Sequence, residues 1–188
     1  ETYWMAKEDK IPLPSTTKPI DLCISFLSPR IIPIEILQCA RIKVNFHPGD
    51  RHYPGIGSYN FALYEQSNSY GVVCHHMNAT VDTGRIIIER LFPIAPEETI
   101  ETLLFKSYCQ LLEIFREFLG LYKSGSSFSN GLISWSRRPF TRKELNTLAE
   151  IKGGMSQTEI KIRLKATAYP GFGTLKAQTP LVDRVFEF

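Results

Sequence analysis

The chain lacks several features by which whole classes of protein are recognised, and cysteine pairing is the first of them. Its cysteines are scattered, and none belongs to a C-x-x-C pair. This spacing argues against a structural zinc site or a disulfide framework. Three of them lie in apolar or helical patterns, so we expect reduced thiols buried in the core of a cytoplasmic protein. The cysteines are Cys23, Cys39, Cys74 and Cys109.

Long apolar runs and basic tracts are also missing. No run approaches the length of about 20 residues that is needed to cross a bilayer, and we expect no signal peptide. The net charge is only +3, and no basic segment is interspersed with aromatic residues. We therefore expect neither a membrane nor a nucleic acid as partner. A content of 43% hydrophobic and 22% charged residues indicates an ordinary folded protein.

Short apolar runs that alternate with helical patterns predict an α/β fold. Residues 21–27 form a compact apolar run, which is typical of a strand buried on both faces of a parallel sheet. Three more strands are predicted at 42–46, 71–77 and 85–92, and two short helices at 35–40 and 59–65. Ligands bind beyond the carboxyl ends of the strands in such sheets. The loops at 47–58 and 78–84 are therefore expected at the same rim.

The second half of the chain is predicted to be helical. Pro96-Glu-Glu is predicted to open a long amphipathic helix that Gly120 closes, since proline and acidic residues suit a helix N-terminus. A Ser- and Gly-rich stretch at 123–131 predicts a linker. Residues 141–144 and 156–159 are capping-box patterns that begin two further helices. A turn at 169–173 and a terminal hairpin complete the prediction, which divides the chain into a catalytic domain at 1–122 and a linker with a C-terminal subdomain at 123–188.

Polar residues that could perform chemistry follow the predicted strands. Asn45 and His47 end one strand, and Asp82 lies in the turn after another. An amide, an imidazole and a carboxylate could thus meet in one pocket. Each also has a structural alternative, because Asn-x-His-Pro and Val-Asp-Thr-Gly are both good turn sequences.

The four histidines do not predict a metal site. His75 and His76 are adjacent on a predicted strand, so their side chains point to opposite faces. No His, Cys or Asp spacing matches a known metal geometry. We expect His75 either to line the pocket or to be a satisfied half-buried histidine. Trp4 and Trp135, with Tyr169, could stack on a nucleotide base or pack in the core.

The ordered pieces resemble the 10-formyltetrahydrofolate-dependent formyltransferases. They are Asn45-x-His47-Pro, Tyr53-x-Gly55, Gly71-Val-x-x-His75 and Asp82-x-Gly84. The resemblance covers about residues 21–119. Within the family the chain is most similar to the sugar N-formyltransferases, whose C-terminal part its tail resembles. The fold implied is a Rossmann-like formyltransferase sheet, whose first strands are not seen before Asp21, with a small C-terminal helical and hairpin subdomain.

The resemblance implies a catalytic set of Asn45, His47 and Asp82. The amide and imidazole stabilise the oxyanion that forms on the formyl oxygen, and His47 or Asp82 accepts a proton from the attacking amine. It further implies folate contacts and acceptor contacts. The folate contacts are Phe26, Leu27, Gly55, Val81, Thr83 and Gly84, and the acceptor contacts are Tyr53 and His75.

The implied substrates are 10-formyltetrahydrofolate, with no metal, and a nucleotide-linked amino sugar. A dTDP-linked dideoxy sugar would place the enzyme in lipopolysaccharide O-antigen biosynthesis in the cytoplasm, where the apolar helix could form a homodimer. Other acceptors stay open: glycinamide ribonucleotide, methionyl-tRNA, or water in formyltetrahydrofolate hydrolysis. A non-catalytic remnant that binds folate, a nucleotide or a protein partner is a further alternative.

Overall fold

A mixed β-sheet carries the polar side chains that the sequence analysis singles out. The computed structural model describes residues 20–128 and 133–169, and the backbone of 177–178. In the described part, four strands form one sheet in the order β1-β2-β3-β4. They are β1 (Ile20–Phe26), β2 (Ala40–His47), β3 (Ser69–His76) and β4 (Ile86–Pro93).

The pairing of these strands differs from the predicted parallel sheet. β1 and β2 are parallel, whereas β2 with β3 and β3 with β4 are antiparallel. The α/β class is confirmed, but the prediction that the first strand is buried on both faces was wrong. β1 has a neighbour on one edge only within the described residues, and of its side chains only Ser25 is fully buried. An apolar run alone does not reveal how many neighbours a strand has.

Five helices of the described chain pack around this sheet. α3 lies across one face, where Leu111, Ile114 and Phe118 are buried against Val44 and Phe46. This packing removes the apolar stripe of α3 from water. The helices are α1 (Ile34–Cys39), α2 (Ser58–Tyr64), α3 (Ile100–Lys123), α4 (Arg142–Leu148) and α5 (Gln157–Thr167).

The start of α3 corrects the predicted opening at Pro96. Residues 96–98 form a turn, and Thr99 is the N-cap, whose side chain accepts a hydrogen bond from the N–H of Thr102. The hydroxyl of Thr102 accepts one from the N–H of Thr99 in return. The helix also continues through Gly120 to Lys123, so the predicted end at Gly120 was wrong. One glycine does not end a helix whose flanking turns are held by tertiary packing.

Replacing Thr99 by alanine is expected to lower the free energy of unfolding by about 1 kcal/mol, because the N–H of Thr102 in the first turn loses its acceptor. Chemical denaturation measures this change. Thr99→Ser is the matched control, since it keeps the hydroxyl, and its stability should equal that of the parent protein. Equal stability of the alanine variant would show that Thr99 does not cap α3.

The C-terminal part of the chain packs directly on the sheet and on α2. Ile133 bridges to Ile86 of β4, Phe140 bridges to Gly55, and the Phe140 ring stacks on Phe61 at 3.8 Å. α5 lies along α2, where the Tyr64 hydroxyl donates to Glu159 at 3.0 Å. A two-stranded parallel pair joins β5 (Ile151–Lys152) and β6 (Ala177–Gln178). The division at residue 122 stays a prediction.

The remaining predictions about helix caps, thiols and the chain ends have different outcomes. Both predicted capping patterns begin helices, with Thr141 capping α4 and Ser156 capping α5. The expectation of buried thiols holds for Cys74 but was wrong for Cys39 and Cys109, which lie on exposed faces of helices. The predicted N-terminal segment 1–19, the turn from 170 onward and the terminal hairpin lie outside the described residues. In the part of the chain that the structure describes, no helix is both long and apolar enough to cross a membrane.

Candidate active site

The carboxylate of Asp82 is the centre of a cluster of polar side chains at the end of the sheet. One of its oxygens, Oδ2, lies 3.3 Å from His47 Nδ1 and accepts a hydrogen bond from the N–H of Gly55 at 2.8 Å. The other, Oδ1, lies 3.2 Å from His75 Nε2 and 3.5 Å from Asn45 Nδ2. The Asp82 side chain is only 4% exposed. The three predicted catalytic residues therefore converge, and His75 joins them.

The strand register explains how these side chains meet. Asn45 of β2 is paired with His75 of β3, so the two side chains stand on the same face. His47 follows Asn45 by two positions and shares that face. The turn after β3 then folds back over it and brings Asp82 in, with the backbone of Asp82 in the left-handed region at a φ of 48°. Aspartate tolerates this conformation better than most residues with a side chain.

Each imidazole has one nitrogen committed to a main-chain carbonyl. His47 Nε2 lies 3.0 Å from the carbonyl oxygen of Tyr53, and His75 Nδ1 lies 2.7 Å from that of His76. A carbonyl oxygen only accepts, so both of these nitrogens must carry a proton. The remaining nitrogen of each ring faces Asp82. If Nδ1 of His47 also carries a proton, the ring is positively charged and forms an ion pair with this carboxylate. Without that proton, the lone pair of Nδ1 would face the negative carboxylate.

The ionisation of Asp82 follows from these neighbours. Burial alone would raise its pKa, but the charge of His47, the hydrogen bond and charge of His75 and the N–H of Gly55 outweigh burial and hold the pKa well below its ordinary value. Asp82 is thus a buried anion at neutral pH. Such a carboxylate can fix the orientation and the tautomers of two histidines at once.

The predicted folate contacts are placed in different surroundings. Leu27 and Gly55 line a cavity of about 280 Å³ together with Asn45 and His47. Phe26 is turned to the core, where its ring contacts Phe46 and Phe115. The remaining three, Val81, Thr83 and Gly84, flank Asp82 in its loop. All six stay predictions as ligand contacts.

Gly55 and Gly84 occupy positions where a side chain would collide with backbone. Gly55 has a φ of +88°, and a Cβ there would stand 2.4 Å from the carbonyl oxygen of Phe140. A Cβ on Gly84 would stand 1.8 Å from the carbonyl oxygen of His76. Both glycines therefore allow the two loops to close on Asp82.

Of the two predicted acceptor contacts, His75 contacts the cluster directly. Tyr53 is placed differently: its ring is buried against Tyr70, and its carbonyl oxygen faces His47. Burial raises the pKa of the Tyr53 hydroxyl to about 12, so it stays neutral. A role for Tyr53 or His75 in binding the acceptor stays a prediction.

Two features of the site could not be identified from the spacing of motifs. Trp135 lies against the edges of His47 and His75, with ring centroids 5.8 and 5.1 Å apart. Glu89 of β4 accepts hydrogen bonds from both the N–H and the guanidinium of Arg51, which anchors the loop after His47. Both depend on contacts between residues far apart in sequence, for which the local pattern holds no signal.

A second cavity, of about 420 Å³, lies on the side of Asp82 that faces Trp135. Its walls also include Thr83 and three arginines, Arg85, Arg137 and Arg138. Arg137 is paired with Glu65, and Arg138 with Glu144. Among residues 20–128 and 133–169, no group of three or more His, Cys, Asp and Glu side chains is arranged to hold a metal ion.

The known proteins to which this chain is similar are formyltransferases. A methionyl-tRNA formyltransferase of Myxococcus xanthus is 28% identical over 176 residues, which are 87% of this chain and 54% of that protein. The chain thus spans about half the length of this curated relative. A sugar N-formyltransferase from a Shewanella species has a TM-score of 0.73 at 18% identity, over 85% of this chain and 65% of that one.

A third similar protein is an N-formyltransferase from Helicobacter canadensis, solved with folinic acid and dTDP-3-aminofucose. It has a TM-score of 0.62 at 21% identity, over 76% of this chain and 53% of that one. At these identities the two structures confirm the fold. Residues 17–110, half of the chain, match the family described as Formyl transferase. The chain belongs to the formyl transferase family.

Proposed function

We propose that this protein transfers a formyl group from 10-formyltetrahydrofolate to the amine of a nucleotide-linked amino sugar. The observation that carries the proposal is the meeting of Asn45, His47 and His75 at the buried carboxylate of Asp82. Family membership supports formyl transfer. The solved proteins of similar fold that are sugar N-formyltransferases support the choice of acceptor.

The chemistry requires charge stabilisation and removal of a proton. When the amine attacks the formyl carbon, negative charge grows on the formyl oxygen, and the C–N bond to the folate nitrogen then breaks. Asn45 supplies an amide donor for that oxygen, and the His47 imidazole stands next to Asn45 on the same face of the sheet. The amine must also lose a proton, and Asp82 accepts it directly or through water. As the C–N bond breaks, the folate nitrogen takes up that proton from Asp82, directly or through water. This step restores the carboxylate that holds both imidazoles.

Two cavities next to Asp82 support the proposed substrates: one has an apolar wall that suits the folate ring, and the other is lined by arginines that suit an anionic group. The cavity beside Asn45 and His47 has an apolar wall of Leu27 and Pro29, as expected for a flat ring system. Of the folate contacts proposed from the sequence, Leu27 and Gly55 line this cavity, Val81, Thr83 and Gly84 flank Asp82, and Phe26 is turned to the core. The cavity beyond Asp82 has three arginines in its wall, so a nucleotide phosphate or a carboxylate of the folate tail would bind there in exchange with the glutamates that now pair with Arg137 and Arg138.

The wider proposal follows the sugar acceptor. A dTDP-linked dideoxy amino sugar as acceptor implies a cytoplasmic enzyme of O-antigen biosynthesis. α3 leaves Phe105, Tyr108 and Leu112 exposed, and this face is where we propose that a homodimer forms. Oligomeric state in solution, measured by light scattering for the parent and for Phe105→Glu, tests the dimer. A monomeric parent protein would refute it.

Methionyl-tRNA is the second candidate acceptor. The Myxococcus relative aligns with 87% of the chain, including most of the part beyond the catalytic set. An acceptor panel distinguishes the candidates: 10-formyltetrahydrofolate is supplied with a dTDP-linked amino sugar, glycinamide ribonucleotide, methionyl-tRNA, or buffer alone. Mass spectrometry of the acceptor and release of tetrahydrofolate are measured together. We expect the amino sugar to gain one formyl group, whereas folate release in buffer alone would indicate a hydrolase.

Two histidine variants, one in the cluster around Asp82 and one exposed on the same loop, provide a matched comparison in this assay. His47→Gln is expected to lower the rate of formyl transfer about 100-fold or more, because it removes the imidazole that Asp82 holds beside the reacting carbon. His52→Gln changes an exposed histidine of the same loop and should leave the rate unchanged. If neither acceptor nor buffer yields tetrahydrofolate with the parent protein, the proposed function is wrong.

A further inference from the structure

Trp135 is placed where it restrains both histidines of the site at once. Its indole ring meets the edge of His47 at an interplanar angle of 74° and the edge of His75 at 80°. Both are edge-to-face arrangements, which aromatic rings prefer. His47 and His75 are also the two rings that share Asp82. Trp135, from the C-terminal part, thus contacts both His47 of β2 and His75 of β3.

The indole is itself held by the loop that carries Asp82. Its Nε1–H donates to the carbonyl oxygen of Gly84 at 2.8 Å. This bond satisfies the polar edge of a half-buried tryptophan, and it fixes the ring relative to the residue two positions after Asp82. Rotation of the indole would break this bond and both edge contacts together.

The segment around Trp135 is anchored on both sides by main-chain hydrogen bonds. The N–H of Ile86 donates to the carbonyl of Ile133 at 3.0 Å, and the N–H of Ser136 donates to that of Arg51 at 2.9 Å. The first bond ties the segment to β4. The second ties it to the loop whose Tyr53 carbonyl binds His47. Trp135 therefore spans the gap between the two loops that form the site.

We propose that Trp135 is a positioning residue that holds the His47 and His75 rings against Asp82. It also shields their buried N–H groups from water. This inference rests on the proposed function for its kinetic consequence, but its structural part concerns the protein without substrate. With this role for Trp135, residues 133–136 of the C-terminal part are needed to complete the reaction site.

Kinetics of Trp135→Ala provide the first test. We expect the kcat for formyl transfer to fall about 10- to 100-fold, because loosely held catalytic groups lose their alignment. The KM for either substrate should change by less than about threefold, since the interaction is made through the histidines and not with a substrate. Leu91→Ala removes an exposed apolar side chain of β4 and serves as the control, with unchanged kcat. An alanine variant with the kcat of the parent would overturn the inference.

The imidazole N–H protons provide a test that needs no activity. In the parent protein and in Leu91→Ala, nitrogen-15 NMR should show slowly exchanging protons on His47 Nε2 and His75 Nδ1. Trp135→Ala should lose at least one of them to fast exchange with water. Retention of both would contradict the positioning role, even if kcat falls. If the parent protein transfers no formyl group, the proposed function fails while this measurement still decides the role of Trp135.

Trp135→Phe decides the matter if the alanine variant does not fold. Phenylalanine keeps an aromatic ring near the histidines but cannot donate to Gly84. We expect a severalfold lower kcat at unchanged KM, with a thermal midpoint close to that of the parent. A phenylalanine variant with parental kcat and parental imidazole exchange would overturn the inference.

Discussion

Asp82→Asn is expected to reduce the rate of formyl transfer by about 10²- to 10⁴-fold, the range over which proton transfer and charge stabilisation contribute in enzymes. The amide is nearly isosteric, but it cannot accept the amine proton. It also removes the negative charge that Asp82 presents to two imidazoles, at 3.3 Å from His47 and 3.2 Å from His75. Single-turnover transfer from 10-formyltetrahydrofolate measures the loss.

Asp50→Asn is the matched control for this variant. Asp50 is a second buried aspartate, 1% exposed, in the loop after His47, and its carboxylate accepts a hydrogen bond from the N–H of His52 at 2.7 Å. Asparagine keeps that acceptor. We expect the rate of this variant to stay within about threefold of the parent, because the Asp50 carboxylate binds the backbone of its own loop, whereas His47 and His75 face Asp82. Equal losses in the two variants would show that burial, and not position, makes Asp82 important.

The two aspartates are also expected to differ in how stability depends on pH. The pKa of Asp82 is lowered, so folding favours its ionised form, and this contribution is complete above the ordinary carboxyl pKa of about 4 and is lost as pH falls toward the folded value. The pKa of Asp50 is raised, chiefly by burial, so its ionisation costs stability as pH rises. Denaturation between acidic and neutral pH should show Asp82→Asn most destabilising at neutral pH. Asp50→Asn should gain stability over the parent as pH rises.

Gly84→Ala is expected to lower the free energy of unfolding by about 3 kcal/mol and to abolish most activity, because an overpacked site forces the backbone to move. The new Cβ would stand 1.8 Å from the carbonyl oxygen of His76, which belongs to β3 and cannot retreat freely. The loop that carries Asp82 must shift instead. Even a displacement of about 1 Å costs about 100-fold in rate at a reacting centre.

Gly120→Ala is the control for the glycine variant. Gly120 lies within α3, and a Cβ there has no neighbour within 4 Å. We expect this change to stabilise the protein by about 0.5–1 kcal/mol through higher helix propensity, with unchanged activity. Denaturation curves and formyl-transfer rates of both variants give the comparison. If Gly84→Ala matches the parent in both, the loop does not require its present path.

The sequence predicts the residues of the site better than the geometry that unites them. Asn45, His47 and Asp82 stand out because each follows a short apolar run, and their order resembles one family. The antiparallel course of β3 is not visible in the run 71–77, because a fully buried run looks alike in both directions. The two-sided hydrogen bonding of His47 and His75 depends on carbonyls at Tyr53 and His76, which no side-chain pattern specifies.

The ends of helices and the contacts between residues far apart in sequence also cannot be predicted from the local sequence pattern. Pro96 is a reasonable first residue of a helix, yet Thr99 and Thr102 form a reciprocal cap, so that the helix begins four residues later, at Ile100. Trp135 reads as core or as a base-stacking residue, because its neighbours come from β2, β3 and the loop after β3. Only the tertiary path of residues 133–136 reveals that it faces both histidines.

A crystal structure of this protein with a non-transferable 10-formyltetrahydrofolate analogue tests the proposed chemistry most directly. We expect the carbonyl oxygen that replaces the formyl oxygen to lie about 3 Å from a donor of Asn45 or His47, with Asp82 still contacting both imidazoles. An analogue that binds away from these side chains, or an Asp82 carboxylate that no longer contacts either imidazole, would contradict the proposed function.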